Sequence, residues 1–278
     1  MKSILLALSL LLMAMASPMP PKAQTIANGW INITDPVLNP VAPHVIARHY
    51  LVWDGRASCG SKVPRLVIAL HGGHGNATKM ATEYLTPPTV NKCYVIAYPS
   101  GSNKGTGGVI HVSGDFLLWN ISAPLTEGIG WPSEPPGVND DLFVASLVAT
   151  LKSNYSLTTA FAVGVSMGGM LAFHQACDTA NFAALATVAT TIFDDSCNIA
   201  YHIPNLHIHG TADESVCWLT WYSTCSPWPK ARPQIIGFWQ AQDGPHDKDI
   251  LLGGVHAWQP TPGYDTTGTV WAWLDQRP

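Results

Sequence analysis

The sequence predicts one α/β domain in which helices cover both faces of a mostly parallel sheet. Three observations carry that expectation. Several short apolar runs are uninterrupted, as strands buried on both faces require. Stretches with helical spacing alternate with those runs. The chain has 278 residues, 47% hydrophobic and 12% charged, which supplies one large core and too little charge for a disordered polymer. The composition also excludes function classes. A net charge of −4, with no run of Lys or Arg, gives no field to hold a nucleic-acid backbone. No internal repeat is visible, which removes solenoids and propellers.

Residues 1–16 read as a signal peptide. Lys2 supplies the charge, Ile4 to Met15 the apolar run, and Ala14-Met15-Ala16 a cleavage site before Ser17. The run is short for a bilayer span and Pro18, Pro20 and Pro21 follow it, although an uncleaved anchor is the alternative. The expectation is an extracellular protein with a single domain over residues 17–278. Strands are expected at His49–Trp53, Arg65–Leu70, Cys93–Ala97, Phe161–Val165, Ala183–Ala189 and Leu206–His209, with an edge strand at Asp249–Leu252. Asp140–Lys152 places Leu142, Val144, Leu147, Val148 and Leu151 three or four residues apart, so it reads as a helix capped by Asn139 or Asp140. Further helices are expected at Gly168–Cys177, Pro233–Gln242 and Thr267–Asp275. Ser100–Val138 has no sustained period. Its apolar content (Phe116, Leu117, Leu118, Trp119, Trp131) predicts an ordered loop over or beside the site.

The chemistry lies where strands end. Gly164-Val165-Ser166-Met167-Gly168 is a G-x-S-x-G pentad between a buried strand and a helix, the context of a nucleophile elbow. Such a turn strains the serine and exposes its Oγ; glycines on either side remove side chains that would collide. A serine hydroxyl needs a base at neutral pH. His256, the last of 11 histidines, follows the expected edge strand and is the candidate. Asp213 directly follows Leu206–His209 and is the candidate acid; Glu214 is the alternative, and Asp194 and Asp195 are weaker ones. For an oxyanion hole, Met167 offers the N–H after the nucleophile, and Gly73 a second from the His71-Gly72-Gly73-His74-Gly75 loop.

Two histidine pairs, His71-x-x-His74 and His207-x-His209, resemble metal ligands, but neither has a third ligand clustered with it in sequence, so no metal is expected. Six cysteines in an exported chain suggest disulfides. Sequential pairing, Cys59–Cys93, Cys177–Cys197 and Cys217–Cys225, is the scheme adopted, among the 15 that six cysteines allow. N-x-[ST] sequons stand at Asn32, Asn76, Asn120 and Asn154.

A set of segments in this order resembles the secreted polyhydroxybutyrate depolymerase and feruloyl esterase family of α/β-hydrolases. They are Leu70-His71-Gly72-Gly73, Tyr98-Pro99-Ser100-Gly101, Trp119-Asn120, Val138-Asn139-Asp140, the serine pentad, Leu206-His207-Ile208-His209-Gly210-Thr211-Ala212-Asp213 and Gly253-Gly254-Val255-His256-Ala257-Trp258. The resemblance runs from about Arg48 to the C-terminus. It implies an α/β-hydrolase fold and a carboxylesterase without cofactor, with Ser166, Asp213 and His256 as nucleophile, acid and base. The implied partner is an ester substrate, polymeric or small, with no nucleic acid, no membrane after signal cleavage and no obligate protein partner. Val255 stands where the family often has a third glycine, and Gln259-Pro260 where it often has Pro-Gly. Cys217–Cys225, with Trp218, Trp221 and Trp228, looks like an insertion. Trp119, Trp131, Trp218 and Trp258 are the candidate substrate-binding residues, Trp119 foremost because family members share it. A serine peptidase of similar fold and a non-catalytic polysaccharide-binding homologue are the other classes open at this point.

Overall fold

The computed structural model describes residues 26–35, 44–91, 93–104, 110–111, 117–119, 138–192, 203–218 and 246–278. The strands in chain order are β1 (Ile26–Asp35), β2 (His44–Asp54), β3 (Arg65–Leu70), β4 (Tyr94–Pro99), β5 (Asn103–Lys104), β6 (Ile110–His111), β7 (Ala160–Val165), β8 (Ala184–Val188), β9 (Asn205–Gly210) and β10 (His246–Leu251). The helices are α1 (Ala77–Lys79), continuing as a π turn over Met80–Tyr84, then α2 (Asp140–Tyr155), α3 (Met167–Asp178) and α4 (Thr266–Leu274). Eight strands form one sheet in the order β1-β2-β4-β3-β7-β8-β9-β10, while β5 and β6 pair separately. The β1–β2 and β2–β4 pairings are antiparallel and the rest of the large sheet is parallel.

The uninterrupted apolar runs feed two cores. In β3, Leu66, Ile68 and Leu70 join a cluster with Phe143, Leu147, Leu171 and Phe173, on the face covered by α2 and α3. Val67 and Ala69 point the other way, to a cluster with Met80, Leu85, Val270 and Trp271 beneath the π turn and α4. Each large apolar side chain so buried contributes about 1.5–3 kcal/mol relative to exposure. Asn139 caps α2, its side chain accepting from Leu142 N–H at 2.8 Å. Arg48 on β2 donates to Asp140 Oδ1 and to Ser100 O, and lies 4.1 Å above the Phe143 ring centroid, fixing the start of α2 against the sheet.

Several expectations change. β1 and the Ala77–Tyr84 helical turns were not expected; β1 is an edge strand whose polar and apolar residues mix, and the turns are shorter than the roughly 11-residue stretch over which a helical period can be read. β2 is longer than the His49–Trp53 reading because its first half pairs with β1. The Pro233–Gln242 helix and the signal peptide lie outside the described residues. So does most of the Ser100–Val138 loop. Its described parts do pack beside the nucleophile region, with Leu117 bridged to Gly75 and Leu118 to Ser102. Cys59–Cys93 is formed. Cys177 and Cys217 are also disulfide-bonded, and their expected partners Cys197 and Cys225 lie outside the described residues. No helix among the described residues is long and apolar enough to cross a membrane.

Candidate active site

β7 lies inside the sheet between β3 and β8 and delivers Ser166 at its carboxyl end. Ser166 has φ 52° and ψ −122°, a backbone region that side-chain-bearing residues rarely occupy. Two bonds hold it there: its N–H donates to Val188 O at 2.9 Å, and Thr190 Oγ1 donates to its carbonyl at 2.7 Å. The flanking glycines are required sterically. A Cβ on Gly164 would lie 2.4 Å from Gly168 O, and one on Gly168 2.3 Å from Leu70 O. The start of α3 is thus pressed onto the end of β3, and the strain at Ser166 is imposed by its surroundings.

β9 and β10 are neighbours, and the turns after them are docked backbone to backbone. Thr211 N–H donates to Leu251 O at 3.0 Å and Ala212 N–H to Gly254 O at 2.8 Å. A Cβ on Gly210 would fall 2.2 Å from Gly254 O, so a side chain there would part the two turns. Docking brings His256 Nδ1 to 2.7 Å from Asp213 Oδ2 and His256 Nε2 to 3.0 Å from Ser166 Oγ. Asp213 Oδ1 accepts from the N–H groups of Ser215 at 2.9 Å and Val216 at 2.7 Å. Burial by itself raises the Asp213 pKa, but hydrogen bonds from His209 and His256 outweigh it and hold the carboxyl at about 2. An ionised Asp213 can only accept, so His256 Nδ1 carries its hydrogen and Nε2 turns a lone pair to the Ser166 hydroxyl. Glu214 is exposed, and Asp213 rather than Glu214 meets the imidazole. Asp194 and Asp195 lie outside the described residues.

Solved structures share this architecture. The fold is that of the α/β-hydrolases. An S-formylglutathione hydrolase from Agrobacterium tumefaciens is 13% identical with a TM-score of 0.59, over 92% of this chain and 98% of that one. A carboxylesterase from Bacillus cereus is 13% identical with a TM-score of 0.56, over 82% and 94%. A ferulic acid esterase from Anaeromyces mucronatus, solved with ferulic acid, is 14% identical with a TM-score of 0.55, over 93% of each chain. No protein-family model matches the sequence, and no curated protein matches it.

In the α/β-hydrolase frame, the loop after β3 runs beside the nucleophile. Gly72 passes Ser166 so closely that a Cβ on it would lie 3.4 Å from Ser166 Cβ. Gly72 O is turned inward, accepting from Gly75 N–H at 3.0 Å and from His71 Nδ1 at 2.7 Å. In a trans peptide the next N–H points the opposite way, so Gly73 N–H is directed out of this turn. His71 is fully buried; its Nε2 accepts from Gly101 N–H at 2.9 Å. Burial, the largest influence, lowers its pKa to about 4, so the ring is neutral with its hydrogen on Nδ1. Met167, the other expected oxyanion donor, follows Ser166 as the first residue of α3.

The tryptophan expectations need correction. Trp119 is only 1% exposed, so it faces no open cleft; its ring packs on His71 at 4.6 Å and its Nε1–H donates to His71 O at 2.7 Å. It supports the β3 loop from beneath. Trp258 is buried in the core over Tyr84, its Nε1–H donating to Thr267 Oγ1, which ties the His256 loop to α4. Both rings are buried and each indole N–H is held by an internal acceptor, so neither presents an open wall to a substrate in this structure. Trp218 is half-buried, its ring 5.4 Å from His209 and 6.5 Å from His207. Trp131 and Trp221 lie outside the described residues.

Sequence reasoning missed the roles of His71, His207 and His209. It weighed all three as metal ligands, whereas their ring nitrogens engage internal partners. Among the described residues no cluster of three or more His, Cys, Asp or Glu is arranged to hold a metal.

Proposed function

We propose that the protein is a serine carboxylesterase working through an acyl-enzyme. One observation carries this reading. An unbroken hydrogen-bonded line runs from ionised Asp213 through His256 to the hydroxyl of a strained Ser166 at a strand–helix elbow. His256 Nε2 takes the proton as Ser166 Oγ attacks the ester carbonyl, and Asp213 stabilises the imidazolium. The N–H groups of Met167 and Gly73 receive the oxyanion; one such donor is commonly worth about 3–4 kcal/mol of barrier. His256 then protonates the departing alcohol, and water repeats the cycle on the acyl-serine.

The substrate class follows from the sequence segments that resemble the depolymerase and feruloyl esterase family. The reading is an exported enzyme acting on polyhydroxyalkanoate, feruloyl or acetyl esters. The ferulic acid esterase among the structural neighbours supports that direction. The test is a panel of p-nitrophenyl acyl esters, methyl ferulate, acetylated xylan and polyhydroxybutyrate film, run beside fluorophosphonate labelling. Ser166 is expected to be the labelled residue. Ser166→Ala is expected to lower kcat by about 10⁴–10⁶ while the protein stays folded. Labelling elsewhere, or turnover surviving in that variant, refutes the assignment; hydrolysis of none of the panel refutes the substrate class.

A further inference from the structure

Behind the carboxylate that faces His256 lies a second pair of imidazoles, on β9. His207 and His209 alternate with Leu206 and Ile208, so both point to the same face of the sheet. Both are buried. Thr187 Oγ1 on β8 lies 2.9 Å from His207 Nδ1, and His207 Nε2 lies 3.1 Å from His209 Nδ1. His209 Nε2 is 2.8 Å from Val216 O and 3.3 Å from Asp213 Oδ2. His256 meets that same Oδ2 from the other side.

The hydrogens in this row follow from its ends. Val216 O and ionised Asp213 are both acceptors, so His209 Nε2 carries a hydrogen, directed at Val216 O with the carboxylate alongside. With that hydrogen on Nε2, His209 Nδ1 is placed to accept from His207 Nε2–H. His207 Nδ1 then accepts from the Thr187 hydroxyl. Every donor in the row points toward Asp213. The turn that His209 secures through Val216 O is the one whose Ser215 and Val216 N–H groups hold Asp213 Oδ1. Both carboxylate oxygens therefore depend on His209, one through the turn and one through the adjacent N–H.

We propose that His209 is a positioning residue for the acid, its tautomer set by His207 and Thr187, fixing the plane and height of the Asp213 carboxylate against His256. The proposal rests on the reading of Ser166, His256 and Asp213 given above. Among the described residues the groups that face His209 are His207, Asp213, Val216 O and Trp218, and Asp213 links it to His256. Buried polar rows of this kind are costly unless every member is satisfied.

Two substitutions separate positioning from bulk packing. His209→Gln keeps an amide N–H near the Nε2 position, while His209→Asn reaches only toward His207 and loses the donor to Val216 O. His209→Asn is expected to lower kcat about 10–100-fold with KM changed less than about three-fold, the scale of a displaced catalytic group. His209→Gln is expected to restore most of that rate. Equal losses in both variants, or a change confined to KM, overturn the proposal. Imidazole ¹⁵N NMR of the unmodified protein reads the row directly: His209 with its hydrogen on Nδ1 overturns it whether or not the variants fold. Fluorophosphonate labelling distinguishes the two levels. Failure to label Ser166 in the unmodified protein sinks the esterase reading. Labelling there, with His209→Asn as fast as the parent, sinks only the role of His209.

Discussion

Lowering the pH costs this protein stability in part through one fully buried ring, that of His71. The ring is buried with its Nδ1–H on Gly72 O and its Nε2 accepting from Gly101 N–H, so the folded state has no acceptor for a second ring hydrogen. It takes up a proton near pH 4 when folded and near 6.5 when unfolded. The stability this contributes is complete above about pH 6.5. It is lost as pH falls toward 4, because only the unfolded chain binds the proton in that window. At about 1.36 kcal/mol per pH unit, the full loss approaches about 3 kcal/mol, of which about 2 kcal/mol falls between pH 7 and pH 4.5. His71→Asn removes the titration. The amide retains a donor to Gly72 O but leaves Gly101 N–H without its acceptor, a penalty independent of pH. Urea unfolding followed by tryptophan fluorescence at the two pH values measures both proteins. The parent is expected to be the more stable at pH 7, with its advantage about 2 kcal/mol smaller at pH 4.5. pH dependence common to both proteins cancels in the difference. Parallel pH dependence would refute the reasoning, since it would mean that His71 protonates as easily folded as unfolded.

Three other perturbations test the elements around the site. Gly168→Ala forces a methyl group to 2.3 Å from Leu70 O and is expected to abolish fluorophosphonate labelling or prevent folding, whereas the same change at exposed Gly60, opposed only by its left-handed φ of 59° and costing about 1–2 kcal/mol, should leave labelling intact. Trp119→Phe removes the donor to His71 O in a buried setting. It should cost about 1–3 kcal/mol in denaturant unfolding, with kcat/KM falling equally for p-nitrophenyl acetate and methyl ferulate; a loss specific to the bulky ester would restore Trp119 as a substrate contact. Replacing Cys59 and Cys93 by serine opens a loop spanning 34 residues and should lower stability by about 3–4 kcal/mol on the chain-entropy account, measured by thermal unfolding without reductant.

The central strands and the three aligned side chains were legible because sequence and geometry are locally coupled there. A parallel strand buried on both faces must be apolar throughout, so β3, β4, β7 and β8 announce themselves. The elbow, the Gly210 contact and the Gly254 contact each forbid a side chain, so glycines mark the turns that carry Ser166, Asp213 and His256. β1 was missed because an outer strand with Asn28, Gly29 and Asn32 among its apolar residues lacks that signature. The tryptophans misled for a different reason: an indole reads the same in sequence whether its N–H faces a ligand or, as in Trp119 and Trp258, a partner within the fold. For His207 and His209 the spacing correctly put both rings on one face. Only the position of Val216 O and Asp213 distinguishes a hydrogen-bonded row from a pair of metal ligands.

The strand that leads into the imidazole loop is the outermost one on its side of the sheet among the described residues. Among the described residues β10 pairs with β9 alone, while the serine strand is clasped on both flanks. Hydroxyl and imidazole are 90 residues apart in the chain. During synthesis, then, the nucleophile can be seated while its base has yet to be made. On the esterase reading, a polypeptide stalled before β10 docks is silent and still lacks the helix that covers the second core. Turnover thereby becomes a gauge of whether the last strand has closed on the sheet.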